Sequence, residues 1–457
     1  MTSNWQRPIS RRQVLSRAVA GAAAGAALLT PMRWAAGPGL VSGSVRPVAA
    51  TEFGAQVPAA WFDLTEQLIR RTPGFSPPVA SRAIGCLGVG LYEAIVPGIP
   101  DHISLAGAVH GLPPMPSAGR SAAYHWPSVA NAAMAAMTRN LFPTAPADLR
   151  REIRALEASL ERGAPPGMAS RSIQRGREIA SAIDAWSRGD GGHEGFLRNF
   201  PADYVPPEGP GLWVPTLPGF LPALQPTWGG NRCMVLRSPG DCDPGPPPEF
   251  STEPRSAFFG EALEVHEAVN RLTPEQREIT LFWSDDPGLT ATPPGHSVSI
   301  LTQLLRAQDR SLAFAAEAYA RVGAAVCDAF IACWHVKYRE NLVRPITYIR
   351  RHIDPAWGDP LPLDTPPFPE YTSGHSVQSA AAAEIMTSLF GSVAFTDHTH
   401  DARGMAPRSF GSPAEFAREA AISRLYGGIH YRSAIERGLD HGRCIGAAVN
   451  AVQLGRA

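Results

Sequence analysis

From residue 58 onward the apolar residues of this chain recur at helical spacing, and no stretch of useful length alternates with the period of a strand. WFDLTEQLIRR puts Trp61, Leu64 and Leu68 on one face, and PADLRREIRALEASLER and SRSIQRGREIASAIDAW follow as further amphipathic helices. Between Gly189 and Phe250 the pattern gives way to proline and glycine, as in PADYVPPEGPGLWVPTLPGF. A connection that long is functional or wraps a surface. Helices resume at RLTPEQREITLFW, where Thr273, Pro274 and Gln276 supply an N-cap, a first-turn proline and a capping box. A long helical run up to WHVKYREN comes next, then helices after Ser376, around Pro413–Leu425 and toward Leu454. The expected fold is all-α. It divides into an N-terminal leader (1–50), a helical region (51–188), a Pro/Gly-rich connection (189–254) and a C-terminal helical bundle (255–457).

At 457 residues the chain is long enough for two domains or one large core. Charged residues are 18% of it and formal net charge is zero, so no basic footprint points to nucleic acid. In the leader, Arg11 and Arg12 precede a modestly apolar run from Ala18 to Leu29. That run is shorter than the ~20 apolar residues a membrane span takes. It resembles a twin-arginine export signal, with Val48-Ala49-Ala50 as a small-residue cleavage site, and implies a folded protein delivered to the periplasm or secreted. Six cysteines show no zinc-like spacing. Cys233 and Cys242 flank a short loop and are candidates for a disulfide, while Cys327 and Cys333 read as core thiols; the spacing settles neither pairing.

Three short segments carry the chemistry. The first, WHVKYRENLVRP, holds Lys337, the only lysine beside 40 arginines. On a continuous helix Trp334, Lys337, Asn341 and Arg344 share a face, and Pro345 ends the element near Arg344. In the second, Thr372-Ser373-Gly374-His375 open an alanine-rich helix, where backbone N–H groups and a glycine suit an anion. In the third, ISRLYGGIHYRSAIERG, Arg424 and His430 are six apart, and Gly427-Gly428 turns the chain so that both reach one point. Each segment alone is equally a solvated face, a capped helix or a helix junction; the ordered set is specific. TPPGHS around His296 looks like the second segment but lacks its serine, and the histidines of DHTH (398, 400), with His335, bring no evident carboxylate set for a divalent metal.

The order K-x6-RP, SGH, SR-x5-H resembles the superfamily of vanadium-dependent haloperoxidases and acid phosphatases of the phosphatidic-acid-phosphatase type, over roughly residues 255–455. The resemblance implies a helical bundle around an oxyanion site. Read as a haloperoxidase, His430 is the axial ligand of vanadium in a vanadate cofactor. Lys337, Arg344, Ser373, Gly374 and Arg424 donate to the equatorial oxygens, and His375 is the acid–base. Lys337 polarises bound peroxide, Trp334 and Phe368 line a halide pocket, and Asp286 in FWSDDPG supports Arg424, with Asp285 the lesser candidate. Partners are then hydrogen peroxide, halide and a small organic acceptor, with no nucleic acid and no stable membrane span, and a homodimer is admitted. Read as an acid phosphatase, His430 attacks the phosphorus of a phosphate ester and His375 protonates the leaving alcohol. An aspartate that orients the nucleophile is usual four residues after it; here that position is Ala434, with Glu436 or Asp440 as substitutes. The haloperoxidase is the favoured reading, and a catalytically silent oxyanion-binding protein is the third.

Overall fold

The structure, a computed structural model, describes residues 48–119, 123–161, 167–358 and 361–455. Most of the leader therefore lies outside the described residues, and with it the twin-arginine motif.

Among the described residues thirteen α-helices accompany one two-stranded ribbon, β1 (Phe395–Asp397) against β2 (Arg408–Phe410). The first five helices are α1 (Gln56–Arg71), α2 (Pro77–Ile95), α3 (Trp126–Leu141), α4 (Ala147–Glu161) and α5 (Ala169–Ser187). After the proline-rich connection come α6 (Ala257–Asn270), α7 (Pro274–Phe282), α8 (Thr292–Ala307), α9 (Leu312–Glu340) and α10 (Pro345–His352). The chain closes with α11 (Gly374–Phe390), α12 (Pro413–Tyr426) and α13 (Arg432–Asn450). The expected capping box forms at α7: Thr273 Oγ1 accepts from the Gln276 amide at 3.2 Å, and Gln276 Oε1 accepts from the Thr273 amide at 3.0 Å.

One apolar cluster runs from Ala50 to Leu454, so both helical regions share a core. At its centre α2 lies against α9, and every residue of α2 is buried. The stretch Pro77–Gly98 is long and apolar enough to cross a bilayer, but here its apolar 18-residue window is wholly enclosed by protein. Its approach to α9 depends on Gly88, where a Cβ would sit 2.3 Å from the Tyr319 carbonyl oxygen. The α11–α13 contact uses small residues in the same way. Gly438, Gly442 and Gly446 recur every fourth residue, and a Cβ on Gly442 would lie 2.1 Å from the Val377 carbonyl.

The long connection wraps α9. The Asp328 carboxylate on that helix accepts the amides of Met234, Val235 and Leu236 at 2.6, 2.8 and 2.9 Å. Burial pushes this carboxyl up to about 6, and the three amides pull against that. Further along, Trp334 Nε1 and Tyr338 Oη both donate to the Leu224 carbonyl, at 3.2 and 2.7 Å.

Two expectations are corrected. The disulfide joins Cys242 to Cys444 on α13, 202 residues away, and leaves Cys233 a buried free thiol. Asp328 draws the 234–236 segment inward beside Cys233, while Cys242 beyond it turns toward α13. The helix that carries Lys337 stops at Glu340, with Asn341 in the left-handed region (φ 47°) as its C-cap. Asn341 therefore does not share a helical face with Lys337 and Arg344. Its carbonyl instead accepts from the Trp213 amide at 2.7 Å, and Arg344 becomes the N-cap residue of α10.

Candidate active site

Lys337 ends fully buried in the last turn of α9. Its Nζ lies 5.0 Å from the centre of the Phe368 ring and donates to the carbonyls of Pro369 and Glu370 at 3.0 and 2.8 Å. An ammonium has three donors, so one remains for a ligand. Burial pulls its pKa down to about 7; Arg344 acts in the same direction, and Glu370 opposes it.

Arg344, also fully buried, donates from Nε to the Phe368 carbonyl at 2.9 Å and from Nη1 to the Ile429 carbonyl at 2.7 Å. The same Nη1 lies 3.3 Å from His430 Nε2. Arg424, in the last turn of α12, donates from Nη1 to the Trp283 carbonyl at 2.8 Å, and its buried Nε has no partner. Burial lowers both guanidinium pKa values to about 10. At Arg424 two acids oppose the shift, Asp286 more strongly than Asp285. Backbone carbonyls thus hold three cations in place while only partly satisfying them.

Ser373 caps α11, its Oγ accepting from the Ser376 amide at 3.3 Å, and its own amide donates to the Ala434 carbonyl at 3.0 Å. Gly374 opens the helix, where first-turn amides lack partners within it. A Cβ there would meet nothing nearer than the Trp334 ring at 3.7 Å, so the space before these amides is open. His375 bonds through one nitrogen to the Trp283 backbone, while Nε2 is buried without a partner. Burial, then the Arg424 charge, holds it well below the usual histidine range, so it is neutral. Trp334 and Phe368 pack against each other at 4.9 Å and line the same pocket as Gly374, His375, Arg424 and His430.

Glu370 is the residue that sequence reasoning missed. Its Oε1 lies 2.8 Å from His430 Nδ1 and also accepts the Tyr431 amide at 2.8 Å. An oxygen taking two N–H groups is an acceptor, so His430 carries its proton on Nδ1 and turns the Nε2 lone pair to the Arg344 side, where Nη1 donates to it at 3.3 Å. Glu370 therefore orients His430, the task expected four residues after the histidine. There, Ala434 is buried and uses its carbonyl on Ser373. Glu436 faces Arg432 at 3.9 Å and Asp440 pairs with Arg443, both mostly exposed. The available signal was one acid inside the apolar, proline-rich run PPFPEY. Burial raises Glu370 to about 8, while Lys337 and Arg344 pull it back.

The arrangement suits a tetrahedral oxyanion. Three buried cations outnumber the acids facing them, Glu370 and Asp286, because Asp285 is engaged by His296 at 2.8 Å. Unpaired donors remain on Arg424 and Lys337, an open helix N-terminus lies beside them, and His430 offers a lone pair. Isolated, such a set is costly to desolvate; an anion offsets that cost through charge-assisted hydrogen bonds.

A family profile described as the VCPO second helical-bundle domain matches residues 317–454, the span holding Lys337, Arg344, Glu370, Ser373, Gly374, His375, Arg424 and His430. Among solved structures the chain is similar to the first bacterial vanadium-dependent iodoperoxidase, at 35% identity and a TM-score of 0.80, over 89% of this chain and 98% of that one. It shares its fold with a bacterial vanadium-dependent chloroperoxidase in the holo form, at 18% identity and TM-score 0.64, over 83% of this chain and 92% of that one. The apo form of a bacterial vanadium-dependent chloroperoxidase matches at 17% identity and TM-score 0.65, over 88% and 98%. No curated protein matches the sequence. With an iodoperoxidase more than 30% identical and covered almost end to end, this chain belongs to the vanadium-dependent haloperoxidases.

Proposed function

We propose that this protein oxidises halide with hydrogen peroxide at a bound vanadate, with iodide its preferred halide. The balanced reaction consumes one halide, one peroxide and one proton and yields a hypohalous acid and water. The observation that carries the reading is three buried cations, Lys337, Arg344 and Arg424, whose charges all act on His430, with Arg344 Nη1 3.3 Å from its Nε2. The preference for iodide is supported by the likeness to the iodoperoxidase.

His430 would hold vanadium through Nε2, with Glu370 fixing the ring and its tautomer. Lys337, Arg344, Ser373, the Gly374 amide and Arg424 would hold the oxygens. When bound, vanadate supplies a Lewis acid that makes a peroxide oxygen electrophilic toward halide. His375, neutral and with Nε2 unpaired, accepts a proton from incoming peroxide and returns it to the departing oxygen. Lys337 donates its third N–H to the oxygen being transferred, a task for a compact point charge rather than a planar fork. Trp334 and Phe368 give halide a poorly hydrated approach. The hypohalous product leaves to react with a small organic acceptor.

Export to the periplasm or beyond is part of the proposal. The Arg11-Arg12 leader supports it, as does the Cys242–Cys444 disulfide, since such bonds persist in oxidising compartments.

The test is steady-state halide oxidation by vanadate-loaded protein, with iodide and bromide compared at fixed peroxide and p-nitrophenyl phosphate as the phosphatase control. Iodide oxidation that requires vanadate is expected. Loss of all halide turnover in protein that still binds vanadate would overturn the proposal.

A further inference from the structure

Behind the wall of the oxyanion pocket is a second buried cluster. His296, in the second turn of α8, places Nδ1 2.8 Å from Asp285 Oδ2 and Nε2 2.7 Å from Asp397 Oδ2. His400, from the connection between β1 and β2, points Nε2 at Asp285 Oδ1 from 3.5 Å. Asp285, His296 and His400 are each 2% exposed and Asp397 is fully enclosed. Trp283 stacks on His296 at 4.5 Å, and Phe282 meets His400 edge-on at 4.9 Å.

We infer that Asp285, His296 and His400 form a binding site for a divalent transition-metal cation of the zinc class, separate from the vanadate site. One donor atom from each lies within 4.8 Å of the others; bonds of about 2.0–2.2 Å reach a common ion once the widest pair closes below about 4.4 Å, a small side-chain adjustment. Two of the atoms facing this point, Asp285 Oδ1 and His400 Nε2, are buried and have only each other, at a long 3.5 Å. Two nitrogens and one carboxylate oxygen form a donor set suited to such an ion. The outer support is also present. Asp397 takes His296 Nε2–H, and its other oxygen is held by the Thr399 amide at 2.9 Å and Gln303 Nε2 at 3.3 Å. A carboxylate behind a ligating histidine fixes the ring and leaves Nδ1 as the donor. The ion takes the place of a proton on Nδ1, which is released, and it balances two buried carboxylates.

The site ties the 285–296 region to the β1–β2 connection about a hundred residues later and touches the active site. Asp285 also lines the oxyanion pocket, and the neighbouring Trp283 carbonyl accepts from Arg424.

Untagged full-length protein is stripped with chelator, exposed to Zn2+, dialysed and analysed for zinc by emission spectroscopy, with Co2+ as a spectroscopic stand-in. About one zinc per chain is expected, with cobalt showing the visible bands of a low-coordinate nitrogen–oxygen site. His400→Ala should lose the zinc and the cobalt bands, and His398→Ala, on the exposed side of the same loop, should keep both. Asp397→Asn, which keeps all three ligands, should weaken zinc about 10–100-fold. Should His400→Ala not fold, His400→Gln with circular dichroism as the fold check serves in its place. Wild-type protein that retains no zinc, or a folded His400 variant that retains as much as wild type, overturns the inference.

Discussion

Replacing Glu370 by glutamine changes the charge of the group behind His430 while nearly preserving its shape. The amide oxygen can still accept from His430 Nδ1 and from the Tyr431 amide, both now at 2.8 Å. Removing a partner behind a ligating histidine costs about 10–100-fold in affinity, or roughly 1.4–2.7 kcal/mol. The lower end applies here. Exchanging a charged acceptor for a neutral one, with the hydrogen bond kept, costs about 1–1.5 kcal/mol. The effect should also depend on pH, because burial raises Glu370 to about 8. The carboxylate contributes only when ionised, so its advantage over the amide is absent well below pH 8 and develops as pH rises through that value. The measurement is the vanadate dissociation constant of wild-type protein and Glu370→Gln at pH 6 and pH 9, by calorimetry or by titrating activity back into metal-free protein. The ratio of the two constants should be near one at pH 6 and about tenfold at pH 9. A ratio that is flat with pH, or below about twofold at pH 9 in a folded variant, would refute the role assigned to Glu370.

Other outcomes follow from the same geometry. Lys337 has a pKa pulled down to about 7, and a bound oxyanion raises it. Its contribution to vanadate affinity is therefore fully present below pH 7 and declines above it, with about half a proton taken up on binding at pH 7. Calorimetry in buffers of different ionisation heat should show this uptake, and Lys337→Arg should abolish it and slow halide oxidation, since a guanidinium stays charged and overfills the slot beside Phe368. His375→Ala should retain vanadate within a few-fold but lose about 10²–10⁴ in turnover. Cys242→Ser should lower unfolding free energy by about 2–5 kcal/mol, read by denaturant titration, with wild type under reductant falling to the same value.

The helical fold was legible in the sequence because it rests on local signals: apolar periodicity, the capping box at Thr273 and the glycine pair that turns the chain at residue 427. The oxyanion residues were legible for a different reason. Anion binding needs cations and a helix N-terminus in fixed order, and segments such as Thr372–His375 keep that order in short motifs. Long-range partners were not legible. Glu370 reaches His430 across 60 residues from a proline-rich loop with no periodicity of its own. Cys242 meets Cys444 across 202, downstream of residues 234–236, which Asp328 pins against α9. The same limit hid the second cluster. Asp397 and His400 belong to DHTH itself, but Asp285 and His296 lie about a hundred residues earlier, and nothing near DHTH in the sequence announces the Asp285 carboxylate on the far side. Asn341 misled for a local reason: a left-handed cap ended the helix one residue before it.

The most direct test of the oxyanion site as a halide-oxidising centre is reconstitution of metal-free protein with increasing vanadate while peroxide-dependent iodide oxidation is followed. Activity should rise to a break at about one vanadate per chain. It should be absent in His430→Ala, and p-nitrophenyl phosphate should not be hydrolysed at a comparable rate. Phosphate-ester hydrolysis that vanadate inhibits, with no iodide oxidation at any loading, would contradict the account.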